Sequence, residues 1–131
     1  MFKHILFPTD GSANADVAAQ SALRFAKSIG AKITAVHVLP AATQPPEPAP
    51  DLASKYLLAV QYAAAEQGIA CEPVVAKGDD VAQAILQTAF DKQCDLLALS
   101  SHGLGGAAQA PPGSATLRVL ASSQIPVLVF R

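Results

Sequence analysis

The run Leu96-Leu97-Ala98-Leu99-Ser100-Ser101-His102-Gly103 is apolar without alternation and then abruptly small and polar. An apolar run this short suits a strand better than a helix, and its lack of alternation marks a strand covered on both faces. Such strands are the interior of parallel sheets, because the helix that carries the chain from one parallel strand to the next must pack on a face.

Working outward from it, strands and helices alternate along the chain. Ile5-Leu6-Phe7 is a compact apolar strand ending at Pro8. From Ala13 the apolar positions Val17, Ala18, Ala22, Phe25, Ala26 and Ile29 fall on one face of a helix, with Ser12 placed to cap its start and Gly30 its end. Lys32 to Leu39 is a β-branched strand. A second helix is expected from Leu52 to Gln67, closed by Gly68. Ile69 to Ala76 reads as a strand that Pro73 confines to a sheet edge. Asp80 and Gln83 resemble a capping box that opens a third helix. Pro126 to Phe130 closes the chain as a last strand, after a short helix that Ser114 can cap. Between Pro40 and Pro50 stand five prolines in eleven residues, which excludes helix and central strand and leaves an exposed connector. The expected fold is an α/β domain over residues 1–131, a single doubly wound five-stranded parallel sheet with helices on both faces. In such sheets ligands sit beyond the carboxyl ends of the strands, near the point where strand order reverses.

Composition narrows the function. Hydrophobic residues make up 51% and charged residues 15% of the 131, which favours a well-buried sheet over disorder. Net charge is −1 with no Lys/Arg block, so the basic stripe that phosphate neutralisation demands of a nucleic-acid binder is missing. No apolar run nears the roughly 18 residues that span a bilayer, and no membrane partner is expected. Phe2 to Pro8 is too short for the apolar core of a signal peptide. Cys71 and Cys94 are too far apart in sequence for a CxxC-type metal site and read as reduced thiols, consistent with a cytoplasmic protein.

The segment Ser100 to Ser114 holds four glycines and leads from a buried strand to a helix start. Glycines let backbone approach a phosphate, and a helix start offers unpaired N–H groups, so the segment can serve as an anion cradle or as a plain surface loop. It is not a P-loop, since no Lys precedes Ser114. The turn after the first strand, Pro8-Thr9-Asp10-Gly11-Ser12, lacks the glycine fingerprint of dinucleotide binders.

Taken together, Phe7-Pro8-Thr9-Asp10-Gly11-Ser12, His37-Val38, and Gly103 followed after nine residues by Gly113-Ser114 resemble the pattern of the universal stress protein family. Gly78-Asp79 and Pro126-Val127-Leu128-Val129 extend the similarity over essentially the whole chain. The resemblance implies an adenine nucleotide alpha hydrolase-like fold, a role in stress response, and ATP as ligand, with Mg²⁺ arriving alongside it. It implies that Asp10 holds the ribose or the adenine edge and that backbone at Thr9 and Val38 lines the adenine slot. Gly103 and Gly113 are then close to the phosphates, which Ser114, Ala115 and Thr116 bind at the helix start. Ser100 takes the place of the motif's first glycine, adding a side chain beside the ligand and disfavouring positive φ. Pro111 and Pro112 stiffen the approach to Gly113.

No catalytic residue is assigned. His102 reads as a positioning residue, His37 as a core histidine, and His4 as an exposed residue preceding the first strand. Asp10 has no second carboxylate for acid–base or two-metal work, and an HxGH motif is missing, so enzymatic activity is expected to be at most weak ATP hydrolysis. Two readings stay open: a nucleotide-binding regulatory module, and a dimeric interaction protein without nucleotide. In both, Val127, Leu128 and Val129 are expected to pair two copies along the last strand, since an apolar edge invites a partner.

Overall fold

The computed structural model describes residues 2–39, 52–101 and 114–130. The chain runs β1 (His4–Pro8), α1 (Ala13–Ile29), β2 (Lys32–Leu39), α2 (Leu52–Glu66), β3 (Cys71–Lys77), α3 (Val81–Asp91), β4 (Leu96–Ser100), α4 (Ser114–Ser122) and β5 (Val127–Phe130). The five strands form one sheet in the order β3-β2-β1-β4-β5, every neighbouring pair parallel. The expected doubly wound fold is therefore the observed one. The expected Pro40–Pro50 connector falls outside the described residues.

Strand parity explains the two cores. Ile5, Phe7, Ile33, Ala35, Leu96 and Ala98 point to one face, against Ala18, Ala22 and Leu23 of α1 and Leu57, Val60 and Ala64 of α2. Leu6, Val36, Leu97 and Leu99 point to the other, against Ile85 and Ala89 of α3 and Val119 of α4. All five residues of β1 and of β4 are buried, which is why neither strand alternates in sequence. At the margin β3 has only half-buried and exposed residues, and Pro73 stands there as expected of an edge. The third strand starts at Cys71 rather than Ile69, although the Ala70 carbonyl already accepts from Ile33 N at 2.9 Å.

Caps fix the helix ends. The Ser12 hydroxyl accepts from Ala15 N at 3.1 Å, and Gly30 closes α1 in the left-handed region at φ 70°. Asp80 accepts from Gln83 N at 3.1 Å to open α3 and also pairs with Arg118 of α4. Cys71 and Cys94 are free thiols, and burial pushes both up to about 11, so neither is a thiolate near neutrality.

His4 corrects the sequence reading. It belongs to β1 and is 8% exposed, its Nε2 2.6 Å from the Thr34 hydroxyl. Its backbone is held by Asp95, which accepts from both Lys3 N and His4 N. Burial, helped by Lys32, holds the imidazole below its ordinary pKa, while Asp95, Glu72 and the Lys92 backbone pull weakly the other way. A histidine depressed in this way binds fewer protons folded than unfolded. Its stabilising contribution is complete above the unfolded pKa of about 6.5 and is lost as pH falls from there through the folded value. Urea midpoints of the wild type are expected to drop between about pH 6.5 and pH 5, and less steeply in His4→Gln. An identical decline in both proteins rules His4 out as the cause.

Candidate functional site

Parallel strands deliver their carboxyl ends to one edge of the sheet, and β1, β2 and β4 are direct neighbours there. Strand order reverses between β1 and β4, since the chain moves from β1 outward through β2 and β3 and returns to β4. The turn after β1 is held by its own side chains. Thr9 is buried, its N–H donates to the Val36 carbonyl at 2.8 Å, and its hydroxyl accepts from Gly11 N at 3.2 Å. Asp10 accepts from Ser12 N at 2.9 Å, an Asx-turn that fixes the carboxylate at the start of α1.

Val38 stands at the end of β2 beside Ala76 of β3, half-buried. Its neighbour His37 is not the core histidine expected from sequence. The ring is half-buried at the edge and its Nδ1 lies 2.8 Å from the Thr9 carbonyl. A carbonyl only accepts, so Nδ1 carries the proton. His37 thereby ties the end of β2 to the turn after β1.

Across the switch point, Ser100 ends β4 and is 4% exposed. Its carbonyl lies 3.5 Å from the Thr116 hydroxyl, a contact at the outer limit of a hydrogen bond. Thr116 is fully buried and Ala115 is buried, so the first turn of α4 is seated against the end of β4. Among the described residues the only non-glycine with positive φ is Gln93, so Ser100 holds its place in extended backbone without strain. Ser100 and Ser101, with Asn14 and Ser21 of α1, border a recess of about 90 Å³ at this edge. A larger cavity of about 520 Å³ lies between α3 and the link from α4 to β5, and none of the predicted site residues borders it.

The fold thus brings Thr9, Asp10 and Val38 to one side of the switch point and Ser100, Ala115 and Thr116 to the other. Ser114 begins α4. His102, Gly103, Pro111, Pro112 and Gly113 lie outside the described residues. No group of three His, Cys, Asp or Glu that could hold a metal ion occurs among the described residues. No helix among them is long and apolar enough to cross a membrane.

Sequence reasoning missed Tyr56, in the first turns of α2. Gly11 has φ +77°, and a Cβ built on it would fall inside the Tyr56 ring, against Cε1, Cδ1 and Cζ. The same ring meets His37 edge-on, centroids 5.4 Å apart at 71°. The one sequence signal was a glycine in the turn, which also has a purely conformational reading.

A doubly wound sheet with polar turns gathered at its switch point defines a class of α/β domains. Within that class the chain belongs to the universal stress protein family, whose sequence model matches residues 1–131. It is 34% identical over 144 aligned residues to the universal stress protein in the QAH/OAS sulfhydrylase 3′ region of Thermus aquaticus, with 100% of each chain covered. Its fold matches the universal stress protein of Archaeoglobus fulgidus in complex with dAMP at TM-score 0.78 and 16% identity, covering 100% of this chain and 98% of that one. It also matches an Arabidopsis thaliana universal stress protein family protein with AMP bound, at TM-score 0.74 and 20% identity, covering 98% and 90%.

Proposed function

We propose that this protein is a nucleotide-binding regulatory module of the stress response that takes ATP across the switch-point edge. The observation that carries the reading is the meeting there of the braced Thr9-Asp10 turn, the end of β2 at Val38, and the buried first turn of α4. In this reading Asp10 holds the ribose or adenine edge, backbone at Thr9 and Val38 lines the base, and Ser114, Ala115 and Thr116 meet the phosphates with Gly103 and Gly113. Mg²⁺ enters with the nucleotide. The dAMP and AMP complexes of the two related folds support the adenine nucleotide as the class of ligand. The strain-free extended backbone at Ser100 supports it too, because serine in place of glycine costs nothing in conformation there.

Isothermal titration calorimetry tests the reading directly. ATP is expected to bind, and Gly113→Val to abolish binding by filling the space a phosphate needs. Folded wild-type protein that shows no heat of binding at millimolar ATP removes the proposal.

The second reading, an interaction protein without nucleotide, is favoured by one feature: Ser100 keeps its own side chain where the family motif has none. Both readings include a homodimer built on Val127, Leu128 and Val129. β5 is an edge, and its four residues are half-buried rather than covered. Sedimentation equilibrium is expected to give a dimer, and a protein that stays monomeric at tens of micromolar speaks against this pairing.

A further inference from the structure

We infer that Tyr56 is the surface on which the nucleobase stacks, and hence the residue that gives the site its hold on the base as distinct from the phosphates. The inference rests on the nucleotide-binding reading and adds to it a side chain from α2.

Gly11, Gly30 and Gly68 all have positive φ, but only Gly11 has a neighbour in the way of a Cβ. Gly30 and Gly68 have nothing within 4 Å and serve as helix ends. Gly11 does two things at once: it allows the left-handed turn, and it lets the Tyr56 ring descend onto the backbone beside Asp10. The ring is also set from a second side by His37, whose imidazole is itself pinned to the Thr9 carbonyl. Contacts therefore run from Thr9 through His37 and Tyr56 to Gly11 and return along the turn, enclosing the stretch where the base is placed. An aromatic ring whose tilt is fixed by two backbone-anchored neighbours, and which remains half-exposed, is a preorganised stacking platform. Its neighbours in sequence space, Leu57 and Val60, are buried, so α2 itself is firmly seated.

Stacking is blind to the phosphates, and that supplies the test. Tyr56→Ala is expected to weaken ATP and adenosine alike by roughly 5- to 100-fold, the span of aromatic–base stacking. Inorganic tripolyphosphate is expected to bind the variant as it binds the wild type. Tyr56→Phe keeps a ring and is expected to stay within a few-fold of wild type. The chain has two tyrosines and no tryptophan, so a Tyr62→Phe background leaves Tyr56 as the sole emitter. Its fluorescence, excited beyond the adenine band, is expected to be quenched by ATP and not by tripolyphosphate, a readout that holds even should Tyr56→Ala fail to fold. If ATP binds wild type and Tyr56→Ala equally, or leaves the Tyr56 emission unchanged, the stacking role is wrong while nucleotide binding stands. If wild type binds neither ATP nor tripolyphosphate, both readings fall.

Discussion

Phe7→Ala is expected to lose about 3–5 kcal/mol of unfolding free energy, the usual cost of emptying a ring-sized space in a core. Phe7 is 1% exposed and heads the largest fully buried side chains. It sits in β1 with strands on either side and α1 and α2 over it, so the surroundings cannot collapse easily. A domain of this size has on the order of 5–15 kcal/mol in total, and the loss takes a large share of it. Urea denaturation should show a much lower midpoint with an unchanged slope. Phe90→Ala is the matched control: that ring is 79% exposed, and its removal should stay within about 0.5 kcal/mol. Equal effects at the two positions contradict the placement of β1 at the centre.

The second large effect is expected at Gly11. Gly11→Ala meets two separate penalties. The left-handed conformation at φ +77° costs an L-residue about 1–2 kcal/mol, and the new methyl must displace the Tyr56 ring as well. A sum of about 2–4 kcal/mol follows. Gly30→Ala isolates the first penalty, because its φ of +70° is similar and the space around it is open. Pairing Gly11→Ala with Tyr56→Ala should return the glycine's cost to the Gly30 level, a coupling of about 1–2 kcal/mol in a double-mutant cycle. Additive losses separate the ring from the turn and undo the picture of Tyr56 seated on Gly11.

The fold was legible because its signals are local. The unbroken apolar run of β4 announced burial on both faces, Pro73 announced an edge, and Ser12, Gly30 and Asp80 announced helix ends within a residue. The site was half legible. Thr9, Asp10, Val38, Ser100, Ala115 and Thr116 are carried to one edge by a topology that the alternation of elements implies. His4 and Tyr56 were not legible, since their roles depend on contacts made only in the folded chain. His4 follows a lysine and opens a strand, which reads as surface. Its burial comes from Asp95, 91 positions away, and Thr34, 30 positions away. His37 carries no local mark distinguishing a core histidine from one that braces a neighbouring turn.

The two margins of the sheet have different prospects for growth. Ala70 and Gly78 bond inward to β2, so by alternation Pro73 stands among the residues whose backbone groups face outward. There it offers no donor to an arriving strand, and Glu72, locked to Lys92 at 2.7 Å, brings charge beside it. β5 has neither device. Judged from the described residues, strand addition is therefore expected on the β5 side and not on the β3 side. An assembly built by joining sheets has one growing end per copy, and two such ends meeting leave none. Growth by this route terminates at a pair instead of running on into a fibre.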